Sequence, residues 1–383
     1  MNLRVNNVAT PILPGKTIGI IGGGQLGRMM ALAAKYMGYF TVVLDPILYC
    51  PTAQVADHHV VASYDDMEGI QKLMDLSDVI TYEFENVDVE AAKYIEKRGK
   101  LPQGTYALDV SQNRKREKEL FQQLHLPIPK FQIVSSELAY QEAIQEISLP
   151  AVIKTCRGGY DGKGQIKLQS QADHQRAIQF ANRHQLSIVE EWISSAQEIS
   201  VVFTRTTFGD ITIFPIAENI HKDHILHQTK VPASINPIVK KMALTAARMI
   251  AERMQVVGTF AIEMFVKDDD IYMNEMAPRP HNSGHFTIEA CTISQFAQHI
   301  RAICHLPLMP VKLLQQAEMI NILGEDLEQI LHILPTIKNG YVHLYGKSQA
   351  KNKRKMGHVT FIANDRDELY TYVKDFKEMM NND

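Results

Sequence analysis

The sequence predicts an α/β domain, then an α+β domain and a small closing α/β piece, and three observations predict it. Short apolar runs alternate with helically spaced segments through the first third of the chain. From Ala151 onward, longer apolar runs follow one another with few helices between them. Prolines stop two helical stretches, at Pro127 and Pro129 and again at Pro307 and Pro310. A chain of 383 residues is also too long for one ordinary core. These shifts predict domains over 1–112, 113–308 and 309–383.

Thr17–Ile21 reads as the first strand, and Gln25–Tyr36 carries helical spacing at Leu26, Met29, Met30 and Ala33. Phe40–Leu44, His59–Ala62 and Asp78–Phe84 read as further strands, the last after a helical Asp66–Leu76. Such alternation implies a parallel sheet covered by helices on both faces. A charged helix, Asn113–His125, opens the central domain. Its strands are Ala151–Thr155, Gln165–Leu168, Ile188–Ile193, Ile199–Thr206 and Ile211–Ile216. Pro237–Met254 is an amphipathic helix whose Met242, Met249 and Met254 read as core packing. Val257–Val266 and Ile271–Met276 look like strands paired around the turn Asp268–Asp270, and Ile288–His305 reads as one helix.

Composition narrows the function. Lys and Arg number 40 against 43 Asp and Glu, a net charge of −3, so no global field favours nucleic acid or acidic membranes. The basic run Lys347–Lys355 holds five cations in nine positions but no interleaved aromatics, which weakens a nucleic-acid reading. Cys50, Cys156, Cys291 and Cys304 lack C-x-x-C spacing, which argues against zinc or disulfides and suits a reducing compartment. The opening residues carry no export signal, and no stretch approaches the roughly 20 apolar residues of a membrane span. Cytoplasm is the expectation.

Gly22-x-Gly24-x-x-Gly27 follows a strand and opens a helix, and Asp45 ends the next strand. By position this fits the dinucleotide fingerprint, with a phosphate at the helix N-terminus. It fits equally a glycine turn that lets strand and helix pack closely, or a phosphate site for another ligand. The motif does not decide between them.

A second glycine-rich segment is more informative. Lys154 ends an apolar strand, and Arg157-Gly158-Gly159-Tyr160-Asp161-Gly162-Lys163-Gly164 follows. Four glycines in seven positions, from Gly158 to Gly164, allow backbone N–H groups to turn onto phosphate oxygens. Lys154 and Lys163 would supply the positive charge. The alternative is a hairpin turn with solvated lysines, but a hairpin needs only two turn residues. Glu263 and Glu275 lie among apolar neighbours on the two strands predicted to pair. Strand periodicity lets both carboxylates project on one face, where Mg²⁺ bridging nucleotide phosphates would offset their burial. Glu190-Glu191-Trp192-Ile193 and Glu198 could read a ribose and an adenine.

Together these residues resemble the ATP-grasp superfamily and, within it, the 5-(carboxyamino)imidazole ribonucleotide synthase family of purine biosynthesis. The specific pieces are Gly22–Met29, Thr81–Asn86, Gly158–Gln165, Asn274–Thr287 and Lys355–His358, and the similarity runs from about Lys16 to the last helix. The resemblance implies an N-terminal Rossmann-like (pre-ATP-grasp) domain, a central ATP-grasp domain and a small C-terminal α/β domain. It also implies ATP- and bicarbonate-dependent carboxylation of 5-aminoimidazole ribonucleotide through carboxyphosphate. It assigns ATP to Arg114, Lys154, Gly159, Tyr160, Asp161, Gly162, Lys163, Gly164, Gln165, Glu190–Ile193, Glu198 and His221. Magnesium would fall to Glu263 and Glu275 with Asn274, and bicarbonate or carboxyphosphate to Arg279 and His281. Gly24, Gln25, Leu26 and Glu85 would take the ribonucleotide, with Tyr160, Asp161, Lys347, Arg354 and Lys355 closing over it. The family further suggests a homodimer.

Some positions depart from the family pattern. Lys351 and Lys353 stand where Arg and Gly are more usual, His224 where Gly is common, and Phe286 in place of a tryptophan. Two alternatives stand beside the synthase. One is a related ligase, such as a formate-dependent purine transformylase or a biotin carboxylase-like enzyme, over which the Lys355–His358 segment and the short third domain favour the synthase. A nicotinamide dehydrogenase rests on Gly22–Gly27 alone.

Overall fold

The computed structural model describes residues 10–159, 164–194 and 196–381. Among these residues the chain builds three sheets. In the first, Thr17–Ile21 pairs in parallel with Phe40–Leu44 and Val79–Tyr82, and His58–Val60 extends the edge. Two strands are shorter than their apolar runs. Pairing stops at Val60, whose carbonyl takes the Asp45 N–H, and at Tyr82, after which Glu83 turns toward the glycine loop.

The second sheet is antiparallel, in the order Phe131–Val134, Ser187–Glu191, Ala151–Thr155, Gln165–Leu168. Two helices, Glu137–Ile147 and His174–Arg183, pack on it through Tyr140, Ala143, Ile147, Ala177 and Ala181. Neither helix is among the elements expected above, and only His174–Arg183 falls in the stretch from Ala151 where few helices are expected.

The third sheet is larger and runs Asp270–Ala277, Gly258–Lys267, Gln197–Arg205, Ala217–Lys222, Ile225–Val231, Gln316–Leu323, Lys355–Ala363, Gly340–Leu344. Its C-terminal strands therefore continue the central sheet, through antiparallel pairing of Ile225–Val231 with Gln316–Leu323. Gly258–Lys267 and Asp270–Ala277 join through Asp268 and Asp269, both at positive φ (51° and 65°), a two-residue turn suited to the hairpin twist. The helix Pro237–Met254 starts on an Asn236 cap and buries Val239, Ala243, Ala247, Ile250 and Met254, while Met242 and Met249 are only partly covered. Ile288–His305 is not one helix. It divides into Thr287–Ala290 and Gln295–Ile303, because Cys291 bridges to Leu313 and Ser294 caps the second segment. All four cysteines are buried and free.

A buried polar junction locks the first sheet to the third. His299, on the helix Gln295–Ile303, accepts the Thr259 N–H at Nδ1 (3.0 Å). Its Nε2 therefore carries the proton and faces Thr81 Oγ1 at 2.8 Å, and Thr81 donates in turn to Gln103. Burial depresses the His299 imidazole to about 3, so the folded chain holds it neutral. The unfolded chain takes up a proton near the ordinary histidine value of about 6.5, so its stabilising contribution is lost as pH falls below that. Melting temperature accordingly falls between pH 7 and pH 5. In His299→Gln, the part of that fall due to this residue disappears, giving a shallower slope in a pH series of thermal melts.

Candidate active site

One cleft of about 1420 Å³ lies where the three sheets meet. Every described residue that the sequence assigned to a site lines it, except Gly24 and Gly164. Tyr160, Asp161, Gly162 and Lys163 lie outside the described residues. The strands flanking that glycine-rich segment pair antiparallel, with Lys154 opposite Gln165 and Thr155 N–H bonded to the Gly164 carbonyl (2.9 Å). The strands Ala151–Thr155 and Gln165–Leu168 on either side of it are thus hairpin partners.

Glu263 and Glu275 are direct cross-strand partners, beside a register shift between Glu263 and Met264. Burial, and then the Glu275 charge, push the Glu263 carboxyl above the ordinary carboxylate range. Local compensation is modest: Arg114 Nη1 reaches Glu275 Oε2 at 3.2 Å, and Asn274 Nδ2 reaches Glu263 Oε2 at 3.4 Å. Two facing carboxylates short of positive charge fit a hard divalent cation. No group of three or more His, Cys, Asp or Glu side chains among the described residues could hold a metal alone. The pair suits a cation whose remaining ligands come from phosphate oxygens and water.

The helix Arg114–Gln123 seals the free edge of the Asp270–Ala277 strand. Glu117 accepts the Met276 N–H (2.6 Å), and Lys118 Nζ donates to the carbonyls of Met273 (3.3 Å) and Asn274 (3.1 Å). Burial raises the Glu117 carboxyl to about 8. Lys118 and Lys154 flank Glu190 from the second sheet, at 2.8 and 2.5 Å. Burial would raise the Glu190 carboxyl, but the two lysines outweigh it and hold the group ionised, well below its ordinary value. Desolvation, in turn, lowers Lys154. Trp192, close to Glu190, carries Lys167 Nζ over its ring at 4.0 Å. His221 Nδ1 lies 2.7 Å from Glu198, and although burial would lower this imidazole, that contact raises it.

On the opposite wall, Arg279 Nε donates to Glu85 Oε2 at 2.6 Å, joining the central domain to the first. Burial opposes ionisation of Glu85, yet Arg279 keeps its carboxyl below the ordinary value. His281 is different. Burial and then the Arg279 charge hold it neutral, and Ser283 N–H points at its Nδ1 (3.3 Å), leaving Nε2–H 3.5 Å from Glu263 Oε1. Lys347 Nζ donates to the Lys355 carbonyl at 2.6 Å, folding the C-terminal cations together at the cleft. His224 and Lys353 adopt φ of 66° and 64°, which explains why glycine serves better at such positions.

The first glycine loop departs from its expected use. Gly24 and Gly27 give their N–H groups to Glu83, and Gly23 gives its own to Asp45 (2.7 Å). Asp45 also accepts from Tyr64 Oη at 2.6 Å. A Cβ on Gly23 would stand 2.2 Å from Cys50 Sγ, and one on Gly24 2.5 Å from Glu83 Oε1. These glycines are therefore required by close packing against internal acids. Only Gln25 and Leu26 of this loop reach the cleft.

Sequence reasoning missed Glu83, Glu117 and Lys118. The signals existed: Glu83 opens the acidic pair in Thr81–Asn86, and Arg114, Glu117 and Lys118 share a helix face by i, i+3, i+4 spacing.

Comparison with known proteins accords with this arrangement. Residues 15–112 match the ribonucleotide synthetase preATP-grasp domain, and residues 119–296 match the ATP-grasp domain. Residues 317–371 match the phosphoribosylaminoimidazole carboxylase C-terminal domain. The N5-carboxyaminoimidazole ribonucleotide synthase of Bacillus subtilis is 45% identical over 358 residues, covering 93% of this chain and 94% of its own. The chain belongs to the N5-carboxyaminoimidazole ribonucleotide synthase family. Its relative from Brucella melitensis is 43% identical over 92% of this chain and 98% of its own. The crystal structure of an ADP complex of an N5-carboxyaminoimidazole ribonucleotide synthetase superposes with a TM-score of 0.93 at 49% identity, covering 96% of this chain and 98% of that one. A synthase from Aspergillus clavatus in complex with ADP and 5-aminoimidazole ribonucleotide gives 0.89 at 29% identity, with 96% and 99% covered. The family's fold, a pre-ATP-grasp domain, an ATP-grasp domain and a C-terminal domain, is the fold of this chain.

With Gly23, Gly24 and Gly27 already bonded to Asp45 and Glu83, the first domain offers no ready pyrophosphate cradle. NADH fluorescence therefore stays unchanged on titration with the protein; enhancement or a blue shift would revive the dehydrogenase alternative.

Proposed function

We propose that this chain is an ATP-dependent carbon–nitrogen ligase that carboxylates 5-aminoimidazole ribonucleotide with bicarbonate, giving 5-(carboxyamino)imidazole ribonucleotide, ADP and phosphate for purine biosynthesis. The observation that carries the reading is the convergence of all three matched domains on one cleft. Gln25, Leu26 and Glu85 come from the first, Lys154, Glu190, Glu263 and Glu275 from the second, and Lys347, Arg354 and Lys355 from the C-terminal hairpin.

A bicarbonate oxygen attacks the γ-phosphorus of ATP and ADP leaves, forming carboxyphosphate. The exocyclic amine of the ribonucleotide then attacks the carboxyl carbon, phosphate departs and the amine loses a proton. Lys154 and Arg114 bind the polyphosphate, and Trp192 with Glu191 and Ile193 flanks the base. Glu263 and Glu275, with Asn274, would hold Mg²⁺, which supplies positive charge to the phosphate oxygens. Arg279, fixed by Glu85, presents its remaining N–H groups to charge growing on the carboxyphosphate oxygens. His281 stays neutral and offers Nε2–H beside it. Gln25, Leu26, Glu85, Lys347, Arg354 and Lys355 hold the ribonucleotide within reach, and that proximity is the larger part of the rate gain. The glycine-rich loop, with Tyr160 and Asp161, covers the intermediate against water.

The same proposal sets domains at 1–112, 113–308 and 309–383, a homodimer and a cytoplasmic enzyme. No helix among the described residues is long and apolar enough to cross a membrane.

Phosphate release from ATP, Mg²⁺ and bicarbonate rises strongly when 5-aminoimidazole ribonucleotide is added, and a labile carboxylated product accumulates. Release indifferent to the ribonucleotide would remove it as the acceptor. Arg279→Ala lowers kcat by about a hundredfold or more, as loss of a charge-stabilising donor does, and an unchanged kcat would refute its role. Glu263→Gln shifts the Mg²⁺ requirement to higher concentration at saturating ATP; an unmoved Mg²⁺ titration would exclude it as a ligand.

A further inference from the structure

We propose that Lys118 is a positioning residue that keeps Glu190 neutralised while Lys154 gives its charge to the nucleotide polyphosphate. The inference rests on the nucleotide reading above and extends it to a residue that no part of that reading uses.

Glu190 is buried, with one oxygen 2.8 Å from Lys118 Nζ and the other 2.5 Å from Lys154 Nζ. The two lysines are not equivalent. Lys154 lines the cleft, with 14% of its side chain exposed, whereas Lys118 is behind the wall at 2%. The Met273 and Asn274 carbonyls hold the Lys118 ammonium from the far side, so it cannot follow a ligand. An incoming polyphosphate draws Lys154 toward its oxygens. Without a second cation, that movement would strand a buried, unpaired carboxylate, which is among the costlier arrangements in a protein interior. Lys118 removes that cost. It also fixes Glu190 of the second sheet against the strand carrying Glu275 in the third, so the nucleotide and metal-facing groups share one anchor.

ATP affinity in the presence of Mg²⁺ tests this, read from the fluorescence of Trp192, the chain's single tryptophan, which lines the same cleft. Lys118→Met weakens ATP binding, and raises the KM for ATP, by at least about tenfold, with kcat within about threefold of wild type. Lys118→Arg, which keeps the charge, recovers most of the affinity. In a Glu190→Gln background, Lys118→Met changes ATP affinity by less than about twofold, since the charge it compensates is gone. Unchanged affinity in Lys118→Met overturns the proposal. So does an equal loss in both backgrounds, which would confine Lys118 to bracing the Met273 and Asn274 carbonyls. If Lys118→Met does not fold, Glu190→Gln is compared with the double variant. Equal affinities there support the proposal, and a tenfold gap or a double variant that also fails to fold overturns it. Nucleotide binding needs no acceptor, so a wrong assignment of the ribonucleotide leaves this measurement readable.

Discussion

Two carboxylates set opposite each other on neighbouring strands are the constraint around which the cleft is arranged. Glu263 and Glu275 repel one another, and the burial of Glu263 compounds that cost. A fold can carry such a pair only if it keeps the backbone beneath it rigid and leaves space for an external cation. The strand bearing Glu275 is an edge strand, normally the least constrained place in a sheet. Here the helix Arg114–Gln123 covers that edge and bonds its backbone groups through Glu117 and Lys118. The charged helix is therefore part of the sheet's architecture, with Glu117 and Lys118 facing inward while Lys115, Arg116 and Glu119 stay exposed.

Two ion pairs in the cleft join different sheets. Arg279 with Glu85 connects the third sheet to the first, and Lys118 with Glu190 connects it to the second. Such pairs contribute little net stability against apolar alternatives, since desolvation consumes most of their attraction. They do specify geometry. A cleft that must align three reactants from three domains gains more from fixed relative positions than from extra stability.

Much of this was legible in the sequence, and the limits are physical. Apolar runs revealed Thr17–Ile21, Phe40–Leu44 and Val79–Tyr82, which are buried along almost their whole length, and the hairpin around Asp268 and Asp269. The helices Glu137–Ile147 and His174–Arg183 escaped, since the first buries only Tyr140, Ala143 and Ile147 and the second only Ala177 and Ala181. The split between Ala290 and Gln295 escaped as well. A Cys291 bridge to Leu313 is a long-range contact with no local signature. The site residues emerged as a set because glycine, lysine and acid clusters sit in short strings. Lys118 stayed hidden, because a lysine on a charged helix reads as solvated until the strand behind it is known.

The N-terminal glycine motif shows why a local pattern underdetermines chemistry. Strand, Gly22-x-Gly24-x-x-Gly27 and helix are all present, and so is an acid at the end of the next strand. In a dinucleotide site the loop N–H groups must be free to meet phosphate. In this chain Glu83, far along the sequence, occupies the N-terminus of the helix Gln25–Tyr36, and Asp45 turns to Gly23 instead of facing outward. The helix dipole is thus already satisfied by an internal carboxylate. What remains for a ligand is the rim formed by Gln25 and Leu26, facing Glu85 and the C-terminal cations. That geometry admits a mononucleotide held from several sides and leaves no place for a pyrophosphate laid along the loop.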